Sequence, residues 1–524
     1  MKILPLILFL FLVLSACGMI PAEGFEPFLE NTDFYEVDDE TLPDTPEPHL
    51  HHPRLVRDFS GVLHLPMRRP LTLNPLVNAD ETVARVLSLL FEPLAVLDEK
   101  MRPVGHLAAL KFALDFTSVA VTIRSEAIWS DGLPVTSDDL IFSVETIRNN
   151  PGGFYYSRVT NIADIQRIDE RTVHIHFKQA TPAVGYALLF PLIPRHDPQG
   201  NPPVGNAPFL FESMIPLQSM SLVRNPHTFR TRPVIERVEV LFLPETQIDL
   251  YAFDHGLVDA IRLPFPEWAR NPSAKTPGVA LFPAMYFEFI GFNFARSLFT
   301  NATIRQGIAQ SFDINEAIST LYLHHAVRTY APIHPQSWLF DPTVNGFSYD
   351  AGRARTALRA LPRGEPLVII VGEDSPERVA MAYRLAGGLY ALNTPTEIHS
   401  LSAEGFAERL SAGEYDLFIG WMELPYTPDF SFFFNGDNNG GVPFIRDAYL
   451  EELFAATQVI TTETAYLQTL SRLQHAFAEL LPVIPLAFRH SAVLTHERIA
   501  HPPSPVACNI FLFINEWSII TQVE

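Results

Sequence analysis

The chain has 524 residues, 47% of them hydrophobic and 18% charged, a balance that supports a large packed core and excludes global disorder. Its 37 basic and 59 acidic residues give a formal charge of −22. Nucleic acid is thereby excluded as a partner, because phosphates need a basic patch, and charge alone offers no hold on anionic lipid. The 45 prolines are scattered, which fits many fixed loop turns rather than one Pro-rich tail.

The chain opens with twelve apolar residues, Ile3 to Leu14, running into Leu14-Ser15-Ala16-Cys17-Gly18. Twelve is short against the ~20 residues that span a bilayer and suits the ~7–15 residue core of a secretory signal. The segment resembles a bacterial lipoprotein signal with its lipobox. The resemblance implies removal of residues 1–16 and a lipid on the Cys17 thiol. An uncleaved signal with an ordinary thiol at Cys17 is the alternative. From Gly18 to Pro53 there is no Lys or Arg, and ten carboxylates lie between Glu23 and Glu47. Such a segment repels itself and buries too little surface to order, so residues 17–57 read as an acidic, disordered tether. His49, His51 and His52 close it as a solvated tail, with nothing to fix their rings around a metal. The second cysteine, Cys508, reads as a small buried hydrophobe.

The body begins near Asp58. Val119, Val121 and Ile123 alternate with polar or small neighbours, as do Val173, Ile175 and Phe177, and Val238, Val240 and Phe242. This period of two predicts half-buried strands. Asp138 is expected to cap a helix carrying Leu140, Val144 and Ile147. A helix is predicted over 301–312, then a second opened by the D-x-x-E pair Asp313 and Glu316, and a third capped by Asp350. Between 366 and 421 the pattern reads strand (367–371), helix (377–392), strand (396–401), helix (403–411), strand (415–421). That is an α/β layer in which parallel strands with crossover helices are expected. A strand is expected over 509–514. Mixed strands and helices before residue 265 and an α/β unit after 280 suggest two lobes.

Several segments taken in order resemble the bacterial extracellular solute-binding proteins of oligopeptide, dipeptide and nickel ABC importers (family 5). They are Leu71-Thr72-Leu73-Asn74-Pro75; Phe91-Glu92-Pro93-Leu94; and Val121 to Arg124 followed by Trp129-Ser130-Asp131-Gly132 through Asp139. Arg224-Asn225-Pro226, Gly256-Leu257-Val258-Asp259, Phe292-Asn293 with Ile304-Arg305-Gln306-Gly307-Ile308 and Asp313, and Tyr349-Asp350 follow. The family's Gly-Thr-Gly-Pro turn reads Gly205-Asn206-Ala207-Pro208 here, where Ala207 lacks glycine's conformational freedom. The resemblance implies an α/β, two-lobed periplasmic-binding-protein-like fold of class II type. Lobe I would span 58–275, with an extra subdomain at about 67–190, and would be completed by 486–524; lobe II would span 276–485.

Most of these motifs have structural roles. Asp131-Gly132 is a turn, and Arg305 is expected to lock the second lobe by pairing with a carboxylate. The candidate ligand site follows the strand ending at Trp421, because ligands sit where loops leave the carboxyl ends of strands. In peptide-binding relatives this loop supplies an acid that pairs with the peptide ammonium, as an enclosed charge requires. That position falls on Leu424 here. The candidates are Trp421 for stacking, Glu423 and Asp429 as acids, and Asn438 as a hydrogen-bonding group; a solvated loop role for Glu423, capping of 430–434 by Asp429 and turn chemistry for Asn438 are the alternatives. No cofactor, metal site or catalytic constellation is expected. The stretch His496-Glu497-Arg498-Ile499-Ala500-His501 is one residue too long to place both imidazoles on one helical face.

The function expected is a lipid-anchored, extracytoplasmic and monomeric receptor. It would bind short peptides between two lobes and deliver them to an ABC permease. Another solute (a nickel chelate or an oligosaccharide) or a sensory or adhesive role without transport is the alternative.

Overall fold

The period-two stretches are strands, and their burial follows the alternation: Val119, Val121, Val173, Ile175, Val238 and Val240 are all fully buried. The computed structural model describes residues 61–198, 201–264, 278–361, 364–436, 438–439, 442–499, 505 and 509–519. The signal, Cys17, the acidic tether with its histidines, and Cys508 lie outside these residues.

Two four-stranded sheets come from the first half of the chain. One has the order Val62–Met67, Arg237–Phe242, Ser219–Arg224, Phe209–Ile215, with its first pair parallel. The other is antiparallel in the order Ala108–Phe112, Ser118–Ile123, Thr172–Phe177, Ile162–Arg167. A seven-stranded mixed sheet has the order Ala260–Pro264, Ile484–Thr495, Gly278–Phe292, Leu417–Glu423, Leu367–Gly372, Thr396–Leu401, with Ala326–Arg328 also paired to the Ile484–Thr495 strand. Its last three strands are parallel, joined through the helices Pro376–Tyr390 and Ala403–Ala412. This is the α/β layer the sequence pattern predicts.

The two longest strands of this sheet carry a break in their pairing. Gly278–Pro283 pairs with residues 495–490, whereas Phe287–Ile290 pairs with residues 488–484, and the register shifts between Pro283 and Phe287. Extra residues on one strand bend it and strengthen its twist, and Pro283 has no N–H to give to a ladder. Beyond the bend, the long strand gains Leu417–Glu423 as its second neighbour. Before it, Ala260–Pro264 pairs with the same stretch of the Ile484–Thr495 strand.

Local expectations fare unevenly. Asp313 and Asp350 cap their helices by accepting backbone N–H groups, and Asn301 caps the helix Ala302–Ala309. Asp131 accepts the Leu133 N–H while Gly132 takes φ +89°. Asp138, however, is not a cap. Thr136 holds that position and Asp139 accepts its N–H at 2.8 Å, which leaves Asp138 on the first turn facing Arg167 and Arg195. Arg305 does lock distant segments, but through carbonyl oxygens rather than a carboxylate. It donates to Phe299 and Thr300 and, across the chain, to Leu480 and Leu481. Fully buried carbonyls at helix and turn ends need donors, and burial lowers the guanidinium pKa to about 10. Residues 509–514 form turns leading into a 3₁₀ turn, Ile514–Glu516, not a strand. Arg230 fastens this segment by donating to Leu512 and Asn515 while it pairs with the buried Glu92.

Candidate functional site

The strand expected to end at Trp421 continues to Glu423, because Tyr286 on the bent long strand pairs with Glu423 in register. The loop begins at Leu424, whose N–H donates to the Met285 carbonyl at 2.9 Å. Trp421 and Glu423 are therefore fixed on a sheet at its bend, a firmer mounting than a loop.

On one side of this sheet lies a charged group built around Trp421. Glu288, opposite Trp421 in register, is fully buried between Arg489 (2.8 Å) and Arg378 (3.6 Å). Both guanidinium groups also lie over the Trp421 ring, at 5.4 and 5.3 Å from its centroid. Tyr286 meets the same ring edge-on at 5.8 Å and takes Arg489 over its own ring. Trp421 thus already carries two cations supplied by the protein. A buried carboxylate survives only when paired in this way.

Glu423 belongs to a second charged group beside the first. Arg262 lies over the Tyr286 ring and pairs with Glu81, which pairs with Arg85 at 2.6 Å. Solvent still reaches the Glu423 side chain, yet protein packs closely around it. That packing raises the carboxyl pKa, Glu81 adds to the rise, and Arg262 and Arg85 oppose it. Arg262 and Arg85 therefore offset the burial and the Glu81 charge only in part, and the charged form of Glu423 stays disfavoured.

On the other side of the sheet lies a cavity of about 10 Å³, room for roughly one water. Met101, Tyr186, Met285, Ile333, His334, Leu339 and Tyr426 are among its walls, with Pro332, Pro425 and Pro428. The walls come from five separated parts of the chain. They are tied together by Trp338, which donates through its backbone to Lys100 O (2.8 Å) and through Nε1 to the Tyr186 hydroxyl (3.1 Å). Burial pushes the Tyr186 phenol up to about 12. His334, 2% exposed, packs against Phe488 at 4.9 Å. Burial, with His490 adding, lowers its pKa to about 3, so the ring is neutral.

The remaining candidates stand apart. Asp429 accepts the Ser431 N–H and hydroxyl in a local turn at the start of Ser431–Phe433, whose N-cap position is held by Phe430. The Asn438 backbone pairs with Pro443 in a two-stranded ribbon; its side chain lies outside what is described. The decoy helix-like stretch has a structural role too: Arg498 clamps the buried Asp259, which also accepts from the His64 backbone. Among the described residues no group of three or more His, Cys, Asp or Glu side chains is placed to hold a metal ion, and no helix is long and apolar enough to cross a membrane.

Glu288, Arg378, Arg489, Arg262 and His334 are functional-site candidates that sequence reasoning missed. A signal existed for two of them. Glu288 interrupts the apolar run Tyr286-Phe287-Glu288-Phe289-Ile290, and Arg489 interrupts Leu486-Ala487-Phe488. A charge inside a buried strand implies a partner, although the pattern does not say which.

The model of the bacterial extracellular solute-binding proteins, family 5 middle region, matches residues 102–443, more than half of the chain. The chain belongs to this family. Among similar proteins of the family is one of Brucella melitensis, provisionally named a binding protein. It is 24% identical over 385 residues, covering 59% of this chain and 62% of the relative. Another, from Brucella ovis, is provisionally named an ABC transporter peptide-binding protein and is 23% identical over 307 residues, 55% of this chain and 58% of its own. The chain thus spans less than two thirds of the length of the curated relatives it matches. The crystal structure of the ABC transporter substrate-binding protein CtaP of Listeria monocytogenes superposes with a TM-score of 0.76 at 16% identity, covering 88% of this chain and 99% of that one. The fold is the α/β, two-lobed binding-protein fold of family 5.

Proposed function

We propose that this family member is the lipid-anchored substrate-binding component of an ABC importer. It takes short peptides between two lobes and hands them to a membrane permease. The observation that carries the reading is the cavity at the bent strands, walled by segments as far apart in sequence as Met101, Tyr186, Met285, His334 and Tyr426. A site made from separated segments over a bulge in two long strands suits a receptor that closes around its solute by hinge motion. The lobe boundaries proposed are 58–275 with 486–524, and 276–485. The name of the Brucella ovis relative supports a peptide cargo, and main-chain hydrogen bonds in the manner of strand addition would allow tolerance of side chains. Cys17 with its acidic tether would hold the receptor near its permease at raised local concentration.

Native mass spectrometry of the purified protein, followed by thermal shifts across di- and oligopeptides, oligosaccharides and nickel chelates, tests the cargo. A ligand at ~100-fold its Kd adds about 2.7 kcal/mol of stability. Shifts with another solute and none with peptides would remove the peptide assignment. Deletion of the gene for this protein, with uptake of labelled peptide unchanged, would remove the transport role.

A further inference from the structure

The polar atoms around the cavity determine what kind of group it accepts. His334 accepts the Gln336 N–H at Nδ1, 3.1 Å away. With that lone pair occupied, the ring proton of the neutral imidazole sits on Nε2. Nε2 is buried and has no partner among the described residues. A buried donor left unmade is costly, and this one belongs to a side chain 2% exposed on the wall of the cavity. The other polar side chains on the wall are the hydroxyls of Tyr186, Tyr426 and Ser337; among the described residues no carboxylate lines it. Leu424, which precedes the wall residue Pro425 and donates its N–H to the Met285 carbonyl, is apolar and only 4% exposed. The acid next to it, Glu423, pairs in register with Tyr286, on the opposite face of the strand from Met285, and is not among the residues that line the cavity.

An ammonium group enclosed here would find no counter-charge, and an unpaired buried ion costs several kcal/mol. A neutral carbonyl would find a waiting donor, and any apolar group attached to it would find Met101, Met285 and Leu339.

We propose that this cavity is a subsite for a neutral, acyl- or amide-capped end of the cargo, its carbonyl oxygen accepting from His334 Nε2–H, and that a free α-ammonium is excluded from it. The inference rests on the peptide reading above and narrows it: the preferred peptides are those with a blocked amino terminus. The space now present is about that of one water, so the group enters as the walls part. Those walls belong to the 101 turn, the 186 region, the strand at Met285, the 332–339 loop and the 425–428 loop.

The test is isothermal titration of the purified protein with tri- to pentapeptides and with the N-acetylated form of each. The acetylated peptides are expected to bind about a hundredfold or more tightly than their free-amine parents, the order of penalty for an uncompensated enclosed charge. Equal or tighter binding of the free-amine peptides would overturn the subsite while leaving the peptide reading intact. No binding of either set at millimolar concentration would overturn both. His334→Phe, which keeps the packing on Phe488, should lower affinity for the acetylated peptides about tenfold, and unchanged affinity would assign the Nε2 proton to a resident water only. Leu424→Asp should shift preference toward the free-amine peptides; should that variant fail to fold, the wild-type comparison still decides.

Discussion

The two sides of the bent sheet are built from the same strands and have opposite characters. Tyr286, Glu288, Trp421, Glu423 and Arg489 gather charge on one side, while Met285, Phe287 and Phe488 with His334 make the other apolar. Side chains alternate across a strand, so adjacent residues serve different chemistries one residue apart. The lesson concerns compensation. On the charged side, among the described residues, Glu288 meets Arg378 and Arg489 and Glu81 meets Arg85 and Arg262, while Glu423 is only partly offset by its arginine neighbours. The apolar side holds few polar atoms, and one of them, His334 Nε2, has no partner among the described residues.

The largest expected effect comes from breaking the charged side. Glu288→Ala leaves Arg378 and Arg489 facing each other without their buried carboxylate and should cost about 3–5 kcal/mol. Urea unfolding measures it, and a loss under about 1 kcal/mol would show that the two guanidinium groups are held by the rings of Trp421 and Tyr286 instead. On the apolar side, Met285→Ala removes a buried side chain and should cost about 2–4 kcal/mol while enlarging the cavity; a crystal structure of the variant would show whether the space fills.

Asp429→Ala tests a residue outside both sides. Loss of its hydrogen bonds to Ser431 should cost about 1 kcal/mol with ligand affinity unchanged, and a loss of affinity would restore Asp429 to the site. Glu423→Gln should have the smallest effect. Its folded carboxyl pKa lies above the ordinary value, chiefly through burial and then Glu81, so the folded state holds its proton more tightly than the unfolded chain does. Wild-type stability therefore falls relative to the glutamine variant as pH rises above the ordinary carboxylate range, and the gap closes in acid. Solvent access keeps the difference under about 1 kcal/mol. Melting curves of both proteins between pH 4 and 8 check the sign, and a wild type that gains on the variant as pH rises would show that Arg262 and Arg85 dominate instead.

Strand periodicity, the α/β order between 366 and 421, and the caps at Asp313 and Asp350 were legible in the chain because each is set by neighbours a few residues away. Family membership was legible for a related reason: turn and cap motifs such as Trp129-Ser130-Asp131-Gly132 keep their local chemistry, and their order along the chain is specific. Asp138 misled because a run of Asp138-Asp139 offers two capping carboxylates, and only the backbone path through Thr136 selects one. Arg305 misled because a buried arginine needs acceptors, while sequence cannot distinguish carboxylates from the carbonyls of Leu480 and Leu481 more than a hundred positions away.

The amino-acid sequence by itself determined the kind of fold and most of the elements that build it, and it offered residues 421–429 as a stretch in which to test for a solute site. Tertiary structure alone decided that Trp421 is flanked by Arg378 and Arg489, that Glu423 continues a strand beside Tyr286 instead of heading a loop, and that His334 reaches a cavity shared with Met101. The physical reason is one of range. Hydrogen bonds within a turn and the pleat of a strand act over a few residues, whereas burial and charge compensation depend on which distant segments the fold brings within a few ångströms.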